Sequence, residues 1–228
     1  MDNYSLGYVF TDAELQTLFS CLGIGSTYGL PIKLRSFTEE EEMQVIRSLV
    51  RKNVISPNDN EGYALDGKFR EAFRTIKSGR GCISLISKNF PLSGYICFAG
   101  ETPVVWEIGA YTDRKFTMTT PDIDSFCRSL TEEGFIPYLS GYNEGFSAEL
   151  GKRIEEAVSA AELTGEFSGM NFAFTAKAVK NGVVSYLISG SEISGNYLAV
   201  VKNGVCTFEE HSREKLVSKL KIMLGGEF

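Results

Sequence analysis

The chain has 228 residues, long enough to bury a sizeable core. With 43% hydrophobic and 23% charged residues it reads as globular rather than disordered. A formal net charge of −6 opposes a general attraction for phosphate backbones, although a local basic face could override that average.

The opening Met1, Asp2, Asn3 and Tyr4 lack the basic and apolar regions of a signal peptide. No apolar run approaches the roughly 18 residues that a membrane helix needs, so membrane insertion is not expected. The five cysteines (Cys21, Cys82, Cys97, Cys127, Cys206) are odd in number, dispersed and free of any C-x-x-C spacing. They read as small hydrophobes in a reducing cytoplasm, not as a disulfide framework or a zinc site.

A first helix is predicted over 11–22, capped by Thr11 or Asp12, with Leu15, Leu18, Phe19 and Leu22 in one apolar stripe. The second is signalled by Thr38 and Glu41, a capping-box pair. Glu39, Glu40, Glu41 and Glu42 place negative charge at its positive end, which explains them better than a cation site does. Met43, Ile46, Leu49 and Val50 are its expected buried face. Two short runs, 54–56 and 63–65, flank polar turn residues and suggest a hairpin. Asp66 then caps a third helix with Phe69, Phe73 and Ile76 inward. This order suggests a winged-helix-like module over residues 1–80.

From Cys82 onward the period becomes that of strands. Strands are predicted over 82–88, 95–99, 104–111 and 115–119. A helix opened by Pro121 and Asp122 follows, with Ile123, Phe126, Cys127 and Leu130 inward, and Gly134 ends it. The segment 134–145 is rich in aromatic residues that either pack on the sheet or offer anchors to a partner. A helix over 146–163 presents Leu150, Ile154, Ala157, Val158 and Ala161 on one face.

Strands over 172–179, 183–189, 197–202 and 205–208 then repeat the earlier order. Asn181-Gly182 and Asn203-Gly204 make type I′ turns between them. A final helix over 212–224 buries Leu216, Val217, Leu220 and Met223. Sliding the first unit forward by about 90 residues superposes the two patterns without gaps. The expected fold class is therefore α+β: the N-terminal module, then a duplicated antiparallel ββββα unit (82–134 and 172–224) with a pseudo-twofold. The region 81–228 forms either a second domain or one compact domain with the first.

Catalytic signatures are scarce. His211 is the one histidine, and its setting beside Glu209, Glu210 and Ser212 reads as a polar residue at a surface strand-to-helix junction. The glycine strings lack phosphate-loop context, and neither a G-x-S-x-G elbow nor a kinase signature occurs. The chain is expected to be no enzyme, with no catalytic residue, metal or cofactor. One basic cluster stands out: Lys68, Arg70, Arg74, Lys77 and Arg80. It is the alternative, nucleic-acid-binding site of a regulatory module. Against it, the region 38–80 balances eight basic with eight acidic residues.

Phe37, Thr38, Glu39, Glu40 and Glu41 open a helix. The run Leu49, Val50, Arg51, Lys52, Asn53, Val54, Ile55 leaves it, and Gly62, Tyr63, Ala64 and Leu65 follow. With the duplicated sheet pattern, this layout resembles the EspG family of type VII secretion chaperones, over most of the chain and without a diagnostic motif. The chain is shorter than typical members. The resemblance implies a cytosolic adaptor that keeps a small helical client soluble before export, and it transfers no catalytic residue. Two meanders joined edge to edge would present loop tips to such a client. The candidate tip residues are Phe90, Pro91, Leu92, Asp113, Arg114, Ile193 and Asn196.

Overall fold

The structure is a computed structural model, and it describes residues 7–25, 30–58, 62–78, 81–109, 115–139, 148–164, 172–192, 195–209 and 211–227. The fold class is α+β: the described residues form six helices, one nine-stranded antiparallel sheet and a separate two-stranded hairpin.

The N-terminal elements are β1 (Tyr8–Thr11), α1 (Asp12–Cys21), α2 (Glu39–Arg51), the hairpin β2 (Ile55–Pro57) and β3 (Tyr63–Leu65), and α3 (Gly67–Lys77). Two capping boxes start α1 and α2: Thr11 with Glu14, and Thr38 with Glu41. Each supplies side-chain partners for amides that the helix itself leaves unpaired. Asn53, at φ 54°, turns the chain out of α2 in the left-handed region that asparagine tolerates.

The sheet is built from two meanders. The first is β4 (Cys82–Ser87), β5 (Ser93–Phe98), β6 (Val104–Gly109) and β7 (Lys115–Thr119), followed by α4 (Ile123–Glu132). After α5 (Ala148–Thr164) come β8 (Phe172–Lys180), β9 (Val183–Glu192), β10 (Gly195–Lys202), β11 (Val205–Glu209) and α6 (Arg213–Gly225). The strand order is β1-β7-β6-β5-β4-β8-β9-β10-β11, so the first strands of the two meanders pair antiparallel at the centre. That order reads the same from either side of the β4–β8 junction until β1 is added at one edge. Asn181 and Gly182, and Asn203 and Gly204, all have positive φ, as type I′ hairpin turns require.

The period-2 alternation of strands divides the core into layers. One sheet face carries Ile83, Leu85, Cys97, Val105, Phe174, Ala176, Leu187 and Leu198. It packs under α4 and α6 through Phe126, Cys127, Leu130, Leu216, Leu220 and Met223. On the other face, Ile96, Phe98, Val104, Trp106, Phe116 and Met118 share one core with α1, α2 and α3. Farther along that face, Tyr186, Ile188, Tyr197 and Val201 pack under Leu150, Ile154 and Val158 of α5.

Three sequence expectations are corrected. β1 is absent from the sequence reading; its four residues run straight into α1, too short to show alternation, yet they pair with β7 and close the sheet edge. The buried face of α2 is smaller than its pattern suggests. Leu49 is buried, but Met43 is exposed and Ile46 and Val50 are only half-buried. The repeat, finally, is not free of gaps. A shift of 90 carries Cys97 onto Leu187 and Phe126 onto Leu216, which share a face. The same shift carries Trp106 onto Asn196, whereas the register places Val201 at the corresponding buried position, since Trp106 pairs with Ile96 as Val201 pairs with Tyr186. With Cys97 matched to Leu187, their partners Val105 and Val200 set β6 against β10 at a shift of 95, an odd offset that restores the side-chain faces.

Glu14 fixes α1 against α2. Its buried carboxylate accepts hydrogen bonds from Lys52 Nζ at 2.6 Å, Ser48 Oγ at 2.8 Å and the Thr11 amide at 2.9 Å. Burial alone would raise its pKa, but these donors outweigh it and hold the carboxyl below its usual value. Lys52 also donates to the Val9 carbonyl, tying β1 into the same knot. Glu14→Ala should lower stability by about 2 kcal/mol, because it leaves Ser48, Lys52 and the Thr11 amide without their acceptor. Glu39→Ala, on the exposed first turn of α2, should cost under about 0.5 kcal/mol; urea unfolding of the two variants checks the contrast.

Candidate functional site: an open strip at the centre of the sheet

The pairing register defines one continuous row across all nine strands on the α5 side of the sheet. It reads Tyr8, Met118, Trp106, Ile96, Ser84, Lys177, Tyr186, Val201 and Cys206. Every member is aromatic, aliphatic or sulfur-bearing except the central pair, Ser84 and Lys177. The polarity coincides with the end of cover. Ile96 and Trp106 lie buried under the N-terminal helices, and Tyr186 and Val201 lie buried under α5. Between them Ser84 and Lys177 are only half-buried.

The rows on either side are mixed: Thr175, paired with Ile86, is buried, and Cys82, paired with Val179, packs against the N-terminal core. Ile86, at the sheet centre, is 52% exposed, and Val179 is 39% exposed. Both project on the same face as Ser84 and Lys177, by the alternation along β4 and β8. Gly94 stands beside Ile86 in the register, and a Cβ there would lie 2.8 Å from the Leu85 carbonyl oxygen, so glycine keeps that flank low. Lys177 lies along the strip with its Nζ 5.6 Å from the Tyr186 ring centroid, a cation–π contact at the edge of α5's cover. From covered β5 to covered β9 there are three inter-strand steps, about 14 Å. An α-helix with its side chains is about 10–12 Å across, so the strip admits one helix.

The loop-tip residues fare unevenly. Phe90 is half-buried, its ring 5.4 Å from Phe135, and the neighbouring Asn89 donates to the Gly134 carbonyl. That tip is docked onto the chain leaving α4. Pro91 is exposed, and Leu92 reaches 73% exposure. Asn196 accepts a 2.6 Å hydrogen bond from Ser191 Oγ across the β9–β10 hairpin, the work of a turn-closing residue. Asp113, Arg114 and Ile193 lie outside the described residues. In the aromatic linker, Phe135 and Ile136 are buried while Tyr138 is exposed.

The basic cluster is divided. Lys68 stacks over Tyr8 and Phe69, with Nζ 4.6 and 5.1 Å from the two ring centroids. Arg70, Arg74 and Lys77 line a separate depression on α3. Arg80 lies outside the described residues. The hairpin β2–β3 precedes this basic helix, so the helix before a would-be wing is α2. A recognition helix reads bases with its N-terminal turn. That turn of α2 carries Glu39, Glu40, Glu41 and Glu42.

His211 corrects the sequence reading: it is buried at 6% exposure, not a surface residue. Its Nε2 lies 2.8 Å from Ser189 Oγ, and Ser189 is fully buried. A serine and a histidine at hydrogen-bond distance have the makings of an activated nucleophile. Here Ser189 is a fully buried residue of β9, and the contact gives its hydroxyl and His211 Nε2 a hydrogen-bond partner each. Among the described cysteines, burial pushes the Cys82 thiol up to about 12 and those of Cys127 and Cys206 up to about 11. These three are thiols, not thiolates, at neutral pH.

Among the described residues, no group of three histidine, cysteine, aspartate or glutamate side chains comes together as a metal site. No described helix is long and apolar enough to cross a membrane. No protein-family model matches the chain, and no curated protein matches it significantly.

Burial lowers the His211 pKa against the opposing pull of backbone hydrogen bonds. Its folded value lies below its unfolded one, so protonation favours the unfolded chain. This contribution to stability is present above the unfolded pKa and is lost as the pH falls through and below it. Thermal unfolding at pH 7.5 and pH 5 should therefore show a larger fall in Tm for the native chain than for His211→Gln.

Proposed function

We propose that this chain is a non-enzymatic adaptor that binds a helical segment of a client protein on the open strip over β4 and β8. The observation supporting this reading is the partial exposure of Ser84, Ile86, Lys177 and Val179 at the centre of the sheet. Central strands are ordinarily the best covered, yet two helical layers here stop short on either side of Ser84, Ile86, Lys177 and Val179. Ile86 and Val179 supply apolar contact near the two ends of the strip, and Lys177 supplies a cation between them. A client helix with apolar residues about two turns apart and an acidic or amide side chain between them would match that order. The EspG-like layout favours the same class of function, a cytosolic adaptor or secretion chaperone for a small helical protein. The loop tips play a lesser part in this reading, because Phe90 and Asn196 are engaged within the fold.

A nucleic-acid-binding function is the second reading, and it rests on Arg70, Arg74 and Lys77 alone among the described members of the basic cluster. The acidic start of α2 and the net charge of −6 both oppose it.

The test is affinity capture from the cell of origin at about 150 mM salt, where exposed electrostatics are largely screened. Ile86→Glu and Val179→Glu should each abolish recovery of the client that the native chain captures. Neither should shift stability by more than about 1 kcal/mol, since both positions are partly exposed. Leu92→Asp should retain the client. Recovery of the same protein by Ile86→Glu, or its loss only with Leu92→Asp, contradicts the proposal.

A further inference from the structure

The N-terminal helices carry a second surface, remote in character from the open strip. Arg70, Arg74 and Lys77 follow one another at four and three residues along α3, which sets them on one helix face. Together with Leu22, Leu65, Phe73 and Ser78 they line a depression of about 420 Å³. A second depression, of about 650 Å³, is lined by Gln44, Ile46, Arg47, Val50, Arg51, Pro57 and Tyr63. Tyr63 and Leu65 are alternate residues of β3 and lie on the same side of it, so the two depressions share this strand. Tyr63 is half exposed.

The charge around these hollows is one-sided. Among the described residues neither is lined by an aspartate or glutamate. Among the described residues, Arg47, Arg51, Arg70, Arg74 and Lys77 make no ion pair. Of the described carboxylates nearby, Glu14 pairs with Lys52, Glu41 with Arg35, and Asp66 caps α3, while Glu71 stands on α3 itself, three residues before Arg74. Lys77 donates to the Leu22 carbonyl and Arg70 to the Leu65 carbonyl, which steadies both stems and leaves further N–H donors outward. The apolar face of α2 that the fold leaves uncovered, Ile46 and Val50, belongs to this same surface.

We propose that α2, β3 and α3 form a docking surface for an acidic amphipathic segment of a partner protein. Its carboxylates, at helical spacing, meet Arg70, Arg74 and Lys77, and one or two large apolar side chains enter beside Tyr63 and Leu65. Charge complementarity selects the partner: cations that form no ion pair among the described residues, set around apolar floors, match carboxylates that flank hydrophobic side chains. A phosphate backbone would find cations too, but the four glutamates that open α2 stand in the way of a continuous track, and the apolar floors would go unused. This proposal does not depend on the open strip, and it holds whether or not a client binds there.

The test is a selection of random peptides of about 16 residues, long enough for four helical turns, against the full chain. Affinities of the selected peptides are then read by fluorescence anisotropy at about 50 and 300 mM salt, which separates screened from unscreened contacts. The expected peptides carry acidic residues three or four apart around a leucine, phenylalanine or tryptophan. Their binding should weaken at least about 10-fold with the Arg70→Glu/Arg74→Glu pair and be unchanged by Ile86→Glu. The milder Arg74→Gln and Lys77→Gln keep the test valid should the charge-reversed chain fail to fold, with a loss of about 3-fold or more for each. Selected peptides without acidic residues, or acidic peptides indifferent to all these variants, overturn the proposal. So does a DNA duplex or an anionic vesicle that binds through Arg70 and Arg74 while acidic peptides do not.

Discussion

The antiparallel pairing of β4 with β8 is the constraint on which the rest of this molecule depends. Each meander alone would end in an open edge, with a row of unpaired amides and carbonyls. Joined through Cys82–Val179, Ser84–Lys177 and Ser87–Phe174, the two edges satisfy one another and become the middle of a nine-stranded sheet. The junction also sets what can cover the sheet. On one face α4 and α6 meet over it and bury Ile83, Leu85, Ala176 and Ala178. On the other, cover comes from two sources, the N-terminal helices and α5, each placed over its own meander. The strip between them follows from that division.

Local chemistry made most of the elements legible. Capping at Thr11, Thr38, Asp66, Asp122 and Ser212 is visible in the sequence because each has a side-chain acceptor at the right distance from an apolar run. The Asn-Gly turns are legible for the same reason: their conformational demand falls on two residues and nowhere else. The strands 82–87 and 205–209 show alternation strongly enough to place their boundaries within a residue or two.

Sequence patterns fail where the answer depends on a distant neighbour. Nothing around His211 announces burial; its polar setting of Glu209, Glu210 and Ser212 suggests the opposite. The cover comes from the sheet, and Ser189, its hydrogen-bond partner, lies 22 residues away. The apolar stripe on α2 predicts burial of Met43, Ile46 and Val50, but only Leu49 meets a packed partner. The strip was hidden for a related reason. Ser84 and Lys177 look like ordinary polar members of strands, and their significance appears only when the register aligns them in an otherwise apolar row. Loop tips were the natural sequence candidates because turns are exposed, whereas the uncovered surface lies in the middle of the strands.

The strip over β4 and β8 is proposed as a contact surface for a helix of another protein. It is tested most directly by a photo-crosslinking amino acid placed at position 86, and separately at position 92, in the cell of origin. Position 86 should give a covalent adduct with one helical client, mapped to a single face of a helix, and position 92 none or far less. Crosslinks from position 86 that stay within the chain, alongside a client captured from position 92, would contradict it and return the contact surface to the loop tips.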